Sequence, residues 1–88
     1  MYHYVYIIKT LDGYLNKTYV GYSTNVNLRL KKHNTSKGAK ATRGYKWKIV
    51  YKKRFLSKSK ALSFEYSLKK DRKKRSYILK RLKSSIWK

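Results

Sequence analysis

The chain has 88 residues, of which 25 are Lys or Arg and 3 are Asp or Glu, for a formal net charge of +22 at neutral pH. Its length predicts one domain, residues 1–88, with a modest core, and the lack of cysteine leaves neither disulfides nor thiolate metal sites, so a structural zinc site is not expected. Apolar and aromatic residues make up 41% of the chain, enough for folding, so it is not read as a disordered basic tail. Such a charge needs a polyanionic partner or strong counterion screening. Nucleic acid fits it through phosphate neutralisation; an anionic membrane surface and a merely solvated, lysine-rich surface are the other readings. The longest apolar runs are too short to cross a bilayer, and the N-terminus has no signal-peptide pattern. A soluble cytoplasmic protein with no membrane role is therefore expected.

In chain order, residues 3–8 alternate and are rich in Val, Ile and Tyr, which predicts a strand with Tyr4, Tyr6 and Ile8 on one face and Val5 and Ile7 on the other. The Asp-Gly pair in "LDGYLNK" signals a turn. Residues 17–22 complete a hairpin, with Tyr19 and Gly21 on one face and Val20 and Tyr22 on the other. "STNVNLRLKKHN" predicts a helix capped by Ser23 or Thr24, lined by Val26, Leu30 and His33 and ended by Asn34. A polar basic loop, "TSKGAKATRGYK", leads to a third strand, "WKIVYKKRF". Two helices follow: "SKSKALSFEYSLKKD", capped by Ser57 or Ser59, and "RKKRSYILKRLKSSIWK", with Ile78, Leu82 and Ile86 at four-residue spacing. The order β-β-α-β-α-α predicts an α+β fold, a small three-stranded antiparallel sheet flanked by helices.

Few residues here have the chemistry of a site. Asp12 belongs to the turn signal and Asp71 sits near a helix end. Glu65, the only glutamate, lies three residues from Leu62 and Leu68 and four from Ala61, on or beside an apolar stripe. A carboxylate there is either half of a buried ion pair or a single-carboxylate site for Mg²⁺ or Mn²⁺. Arg29 borders the inward face of the first helix. It is either a surface arginine laid along the core edge or a planar fork for one phosphate. His33 is either a packed histidine or an acid or base. Tyr6 and Tyr19 are either packing residues or a source of hydroxyl groups, and the hairpin register that decides whether they share a face is not readable.

Taken together, these stretches resemble a known family. "YVY" (4–6) and "YVG" (19–21) resemble the two signature halves of the GIY-YIG nuclease superfamily, with Tyr4 and Val5 where Gly and Ile would stand and Tyr6 at the tyrosine that ends the triplet. "NLRLKKHN" resembles the family's arginine-bearing helix, "GAKATRGYKWKIVY" its next segment, and "ALSFEYSLK" places Glu65 at the metal-binding glutamate. The motifs cover nearly the whole chain. They are most similar to the small stand-alone bacterial members and to the nuclease domain of the scaffold-dependent, structure-specific endonuclease.

The resemblance implies a GIY-YIG-like fold and a one-metal phosphodiesterase that takes Mg²⁺ or Mn²⁺ on Glu65. It implies Tyr19 as the general base or the group orienting the attacking water, with Tyr6 supporting it by hydrogen bonding. Arg29 then meets the scissile phosphate, and His33 relays a proton or positions Tyr19 or the phosphate. Tyr22 receives no role. Lys40, Arg43 and Lys46, ahead of the third strand, are expected to bind nucleic acid at the rim of the cleft, and Trp47 to pack in the core rather than stack on a base. Arg72, Lys73, Lys74, Arg75, Lys80, Arg81 and Lys83 either track the nucleic-acid backbone or form a solvated face, while Ile78 and Leu82 dock the helix. The expected activity is endonuclease cleavage of DNA, with RNA the other candidate substrate. No module for reading bases is visible, so selectivity should follow structure rather than sequence. A scaffold or targeting protein is a further expected partner. The rivals are a non-catalytic nucleic-acid-binding protein on the same fold and a basic RNA-associated protein of ribosomal type.

Overall fold

The computed structural model describes residues 2–11, 17–35 and 42–86, with side chains described as far as residue 80. Its elements run β1 (His3–Thr10), β2 (Thr18–Ser23), α1 (Val26–Asn34), β3 (Trp47–Phe55), α2 (Lys58–Lys70) and α3 (Arg72–Ile86). This is the predicted β-β-α-β-α-α order. The expected Asp12 turn lies outside the described residues. The three strands form one antiparallel sheet in the order β2-β1-β3, so the N-terminal strand is central.

That position explains the composition of β1. A central strand covered on both faces is apolar at consecutive positions, and Val5, Tyr6, Ile7 and Ile8 are all fully buried. The alternation sorts them as predicted. Val5 and Ile7 join Val20, Ala61 and Leu68 on the face covered by α2 and α3, together with Tyr22, Phe64 and Ile78. Tyr6 and Ile8 join Val26, Trp47, Tyr19 and Leu30 on the face covered by α1. Trp47 is buried there, in keeping with a core role.

One irregularity interrupts β3. The pairing with β1 shifts between Ile7 and Ile8, so that Tyr51 faces Ile7 and Ile49 faces Ile8, leaving Val50 as an extra residue. A bulge of this kind places two successive residues on one side, and Val50 and Tyr51 both pack on the α2/α3 face.

The helix boundaries depart from expectation at two points. Asn25, not Ser23 or Thr24, caps α1, its side chain accepting from the Leu28 N–H at 3.1 Å. Ser23 instead accepts from the Asn25 N–H at 2.9 Å, which steers the chain into the helix. Ser57 caps α2 as expected, while the Asp71 carboxylate accepts from the Lys74 N–H at 3.0 Å and so starts α3. Leu62, placed by spacing beside the apolar stripe, is 40% exposed. The buried stripe runs through Ala61 and Leu68 and leaves Leu62 facing out. Ile78 packs on the core as predicted; Leu82 and Ile86 lie outside the described side chains.

The last residue of α1 fastens that helix to β3. Asn34 accepts from the Trp47 N–H at 2.6 Å and donates to the Trp47 carbonyl at 3.1 Å, using its amide as a short piece of strand. Removing it strands two backbone groups that are partly buried. Asn34→Ala is therefore expected to cost about 2–3 kcal/mol. Thermal melting checks this, with a fall of roughly 10 °C or more anticipated for a domain of this size.

Candidate active site

The β1–β2 register settles the relation between the two tyrosines. Tyr6 pairs with Gly21 and Ile8 pairs with Tyr19, so both tyrosines lie on one face, diagonally across adjoining strands. Gly21 is what permits this. A Cβ at position 21 would stand 2.3 Å from the Tyr6 hydroxyl oxygen and 2.4 Å from the ring carbon that carries it. The Tyr6 ring therefore lies across β2 in the space that a side chain would occupy.

The Tyr6 hydroxyl meets α1 at His33, 2.9 Å from Nε2. The other ring nitrogen, Nδ1, lies 2.9 Å from the Thr42 hydroxyl. His33 is fully buried, and the Tyr19 ring stands edge-on to it with centroids 5.2 Å apart. Thr42 is held in turn, its carbonyl accepting from the Trp47 indole N–H at 3.0 Å. Burial, reinforced by the Arg29 charge, lowers the His33 pKa to about 4. The imidazole is thus neutral at physiological pH, with one nitrogen a donor and the other an acceptor. Burial likewise pushes the Tyr6 phenol up to about 12. The Arg29 guanidinium opposes this by hydrogen bonding and charge, and Tyr19 and Glu65 add to it. Tyr6 therefore keeps its proton at neutral pH.

Glu65 arrives from the other layer. It sits on α2, which packs on the opposite face, yet its charge acts on the Tyr6 phenol. Lys69, one turn on, marks the path around the β2 edge. Its ammonium lies 3.6 Å from a Glu65 carboxylate oxygen and 5.9 Å from the Tyr19 ring centroid. The Glu65 side chain is only 17% exposed. Tyr6, Tyr19, Arg29, His33 and Glu65, from four elements, thus meet at one place beside the β2 edge.

The donor set limits what metal can bind. Among the described residues no group of three His, Cys, Asp or Glu exists that would enclose an ion. One carboxylate beside an arginine fits a hard divalent cation that keeps water and takes phosphate oxygens. It does not fit an ion held wholly by protein.

The predicted binding residues fall into three groups. Lys40 lies outside the described residues. Arg43 is exposed in the turn after Thr42. Lys46 is exposed, with its ammonium donating to the Asn34 carbonyl at the end of α1 at 2.7 Å. On α3, Arg72, Lys73 and Lys80 are exposed. Arg75 donates to the Leu68 and Lys69 carbonyls and so closes the end of α2, and Lys74 lies over the Phe64 ring. Arg81 and Lys83 lie outside the described side chains. Gly21, Thr42 and Lys69 were not anticipated in the site. Gly21 was legible as the residue sharing a face with Tyr19; nothing local marks the other two.

A three-layer α/β/α fold with tyrosines on adjoining strands, an arginine on the first helix and a glutamate on the next defines a GIY-YIG type of protein. The chain belongs to the GIY-YIG family: residues 2–78 match its catalytic domain. It is similar to small stand-alone bacterial members. The UPF0213 protein OB0043 of Oceanobacillus iheyensis is 46% identical over 68 residues, 76% of each chain. The UPF0213 protein SH2523 of Staphylococcus haemolyticus is 47% identical over 68 residues, 76% of this chain and 79% of that one. The solution NMR structure of the UPF0213 protein BH0048 from Bacillus halodurans shares the fold, with a TM-score of 0.52 and 40% identity, covering 91% of this chain and 84% of that one.

Two outcomes follow from this geometry. Gly21→Ala should destabilise by about 1–3 kcal/mol through overpacking. A double-mutant cycle in denaturant should show a smaller cost when Tyr6 is already Leu, and equal costs in both backgrounds would mean that the Tyr6 ring is not what the new methyl meets. The second concerns pH. His33 has a folded pKa of about 4 against an ordinary 6.5, so between those values the unfolded chain binds more protons. Stability from this group is full above about pH 6.5 and is lost as pH falls toward 4. The Tyr6 phenol acts in the opposite sense, its contribution being lost between about pH 10 and 12. Melting temperature plotted against pH should fall on both sides of a neutral plateau, and His33→Gln should flatten the acid side.

Proposed function

We propose that the chain is a divalent-metal-dependent endonuclease that hydrolyses phosphodiester bonds in DNA, selecting by structure rather than by sequence. The observation that carries the reading is the meeting of Glu65, Arg29 and Tyr19 around the Tyr6 phenol. Binding phosphate alone needs no carboxylate, and in a chain of charge +22 a glutamate beside the phosphate-binding groups weakens affinity. Its presence there favours an enzyme over a binding module.

In this reading Glu65 holds the cation, Mg²⁺ or Mn²⁺, and the ion when bound neutralises charge on the phosphate and on the leaving 3′ oxygen. Arg29 grips the scissile phosphate in its planar fork and offsets the charge that develops as the bond breaks. The Tyr19 hydroxyl orients the attacking water by hydrogen bonding or, with its own proton already given up to solvent, takes the water's proton as phenolate while the new oxygen–phosphorus bond forms and the 3′ oxygen leaves. Tyr6 keeps its own proton, is held by His33 and lies beside Arg29; its role is to position that group and Tyr19 rather than to act as a base. His33, neutral and locked between Tyr6 and Thr42, positions Tyr6. Arg43 and the exposed α3 cations Arg72, Lys73 and Lys80 supply backbone contacts away from the cut. The reading extends to a cytoplasmic enzyme, with a scaffold or targeting protein as a possible source of added selectivity.

Glu65→Gln tests it. The Lys69 partner is a half-exposed neighbour one turn away, and such pairs contribute only about 0.3–0.5 kcal/mol. The variant should therefore fold normally and bind DNA at least as well as wild type, while Mg²⁺-stimulated cleavage falls below detection in single-turnover assays on linear, flap and branched substrates. Full cleavage by a folded Glu65→Gln protein would overturn the mechanism. Tyr19→Phe should likewise lose about 10²–10⁴ in rate, with melting and binding unchanged.

A further inference from the structure

Helix α2 has an apolar face that the core does not use. Ala61 and Leu68 are fully buried, whereas Leu62 is 40% and Tyr66 60% exposed. With Lys58, Ser59 and Ser63, these two side chains line a shallow groove on the outer side of the helix. The groove adjoins the candidate active site. At about 100° per residue, the order around the helix is Glu65, Lys69, Leu62, Tyr66. The groove therefore begins where Glu65 and Lys69 end.

Charge completes the picture. Lys58 lines the groove, Lys70 stands 4.8 Å from the Tyr66 ring centroid, and Lys69 reaches over Tyr19. Two apolar side chains among lysines make a poor core for a protein interface, which needs a fully desolvated centre. They suit a polymer with anionic links and flat rings. In ssDNA- and RNA-binding grooves, aromatic side chains stack on bases while cations follow the backbone. A base inside a duplex has both faces covered by its neighbours, so an exposed ring selects unpaired bases.

We propose that Tyr66, backed by Leu62, stacks on an unpaired base adjoining the phosphate held at Arg29 and Glu65, and so directs the site to nucleic acid with unpaired nucleotides beside the cut. The placement of that phosphate rests on the nuclease reading; the stacking does not, and it is measured without turnover.

The test is fluorescence-anisotropy binding by the full chain in EDTA. The probes are a labelled oligothymidylate strand and a blunt duplex with the same number of phosphates. Tyr66→Ala should weaken single-strand binding by roughly 5- to 100-fold and leave duplex binding within about twofold. Tyr66→Phe should behave as wild type, since the ring is what stacks. Tyr77→Ala, which removes an equally exposed tyrosine on α3, should change neither. Thermal melting of each variant confirms the fold. Equal losses on strand and duplex, or no loss on either, would overturn the proposal, and in the second case the face is left to a protein partner or to solvent. A wild-type chain that binds but does not cut with Mg²⁺ would defeat the nuclease reading while leaving the stacking result intact.

Discussion

The arrangement depends on one contact, the Tyr6 phenol lying over Gly21 and reaching His33. It ties the central strand to the edge strand beside it, to the first helix and, through Thr42, to the segment before β3. Every group in it is buried or nearly so, and the exchange of hydrogen bonds leaves no described buried side-chain polar atom without a partner. A buried polar chain of this kind is worth keeping only when fully satisfied. Satisfied, it holds Tyr6 and the elements bearing Arg29 and Tyr19 in one geometry, as a site that must be preorganised requires.

The second constraint is charge. With only three acids for 25 bases, most cations here have no carboxylate to pair with, and several rest on aromatic rings instead. Lys17 lies over Tyr45, Lys52 over Tyr4, Arg54 over Tyr2 and Lys53 over Phe64. Ten tyrosines thus do more than fill a small core. A lysine on a ring keeps its full charge toward solvent, so meeting a phosphate requires no carboxylate to be displaced. Carbonyls at helix ends engage two more. Arg75 and Lys46 close the ends of α2 and α1, where cations also oppose the negative end of the helix dipole.

Much of this was legible in the chain, for reasons that differ by residue. The strand faces followed from two-residue alternation, and Asn34 was visible as the end of α1, though its grip on Trp47 was not. Whether Tyr6 and Tyr19 share a face was unreadable because register is a pairwise property, set here by the Tyr6–Gly21 pairing. The cap was expected at Ser23 or Thr24 and falls one residue later, because Ser23 turns the chain through the Asn25 N–H and leaves Asn25 to cap α1. Leu62 misled because spacing alone cannot tell which side of a stripe a sheet will cover. The charge of Lys46, Lys74 and Arg75 was visible in the chain, whereas the carbonyls and ring that engage them were not, because those partners are set by how the helices end and pack.

The bulge at Val50 divides β3 into two stretches with separate rhythms. Before it, Trp47 and Ile49 face α1; after it, Lys52 and Arg54 pair with Tyr6 and Tyr4 and take up that same side. An insertion or deletion elsewhere in the strand turns over every residue between the change and the bulge, exchanging core for solvent. At Val50 the rule is suspended. Removing that one residue straightens the strand while each side chain on either side keeps its face. β3 therefore has a single joint at which its length can change by one without turning any other side chain over, at the cost only of the contacts that Val50 makes on the α2/α3 face.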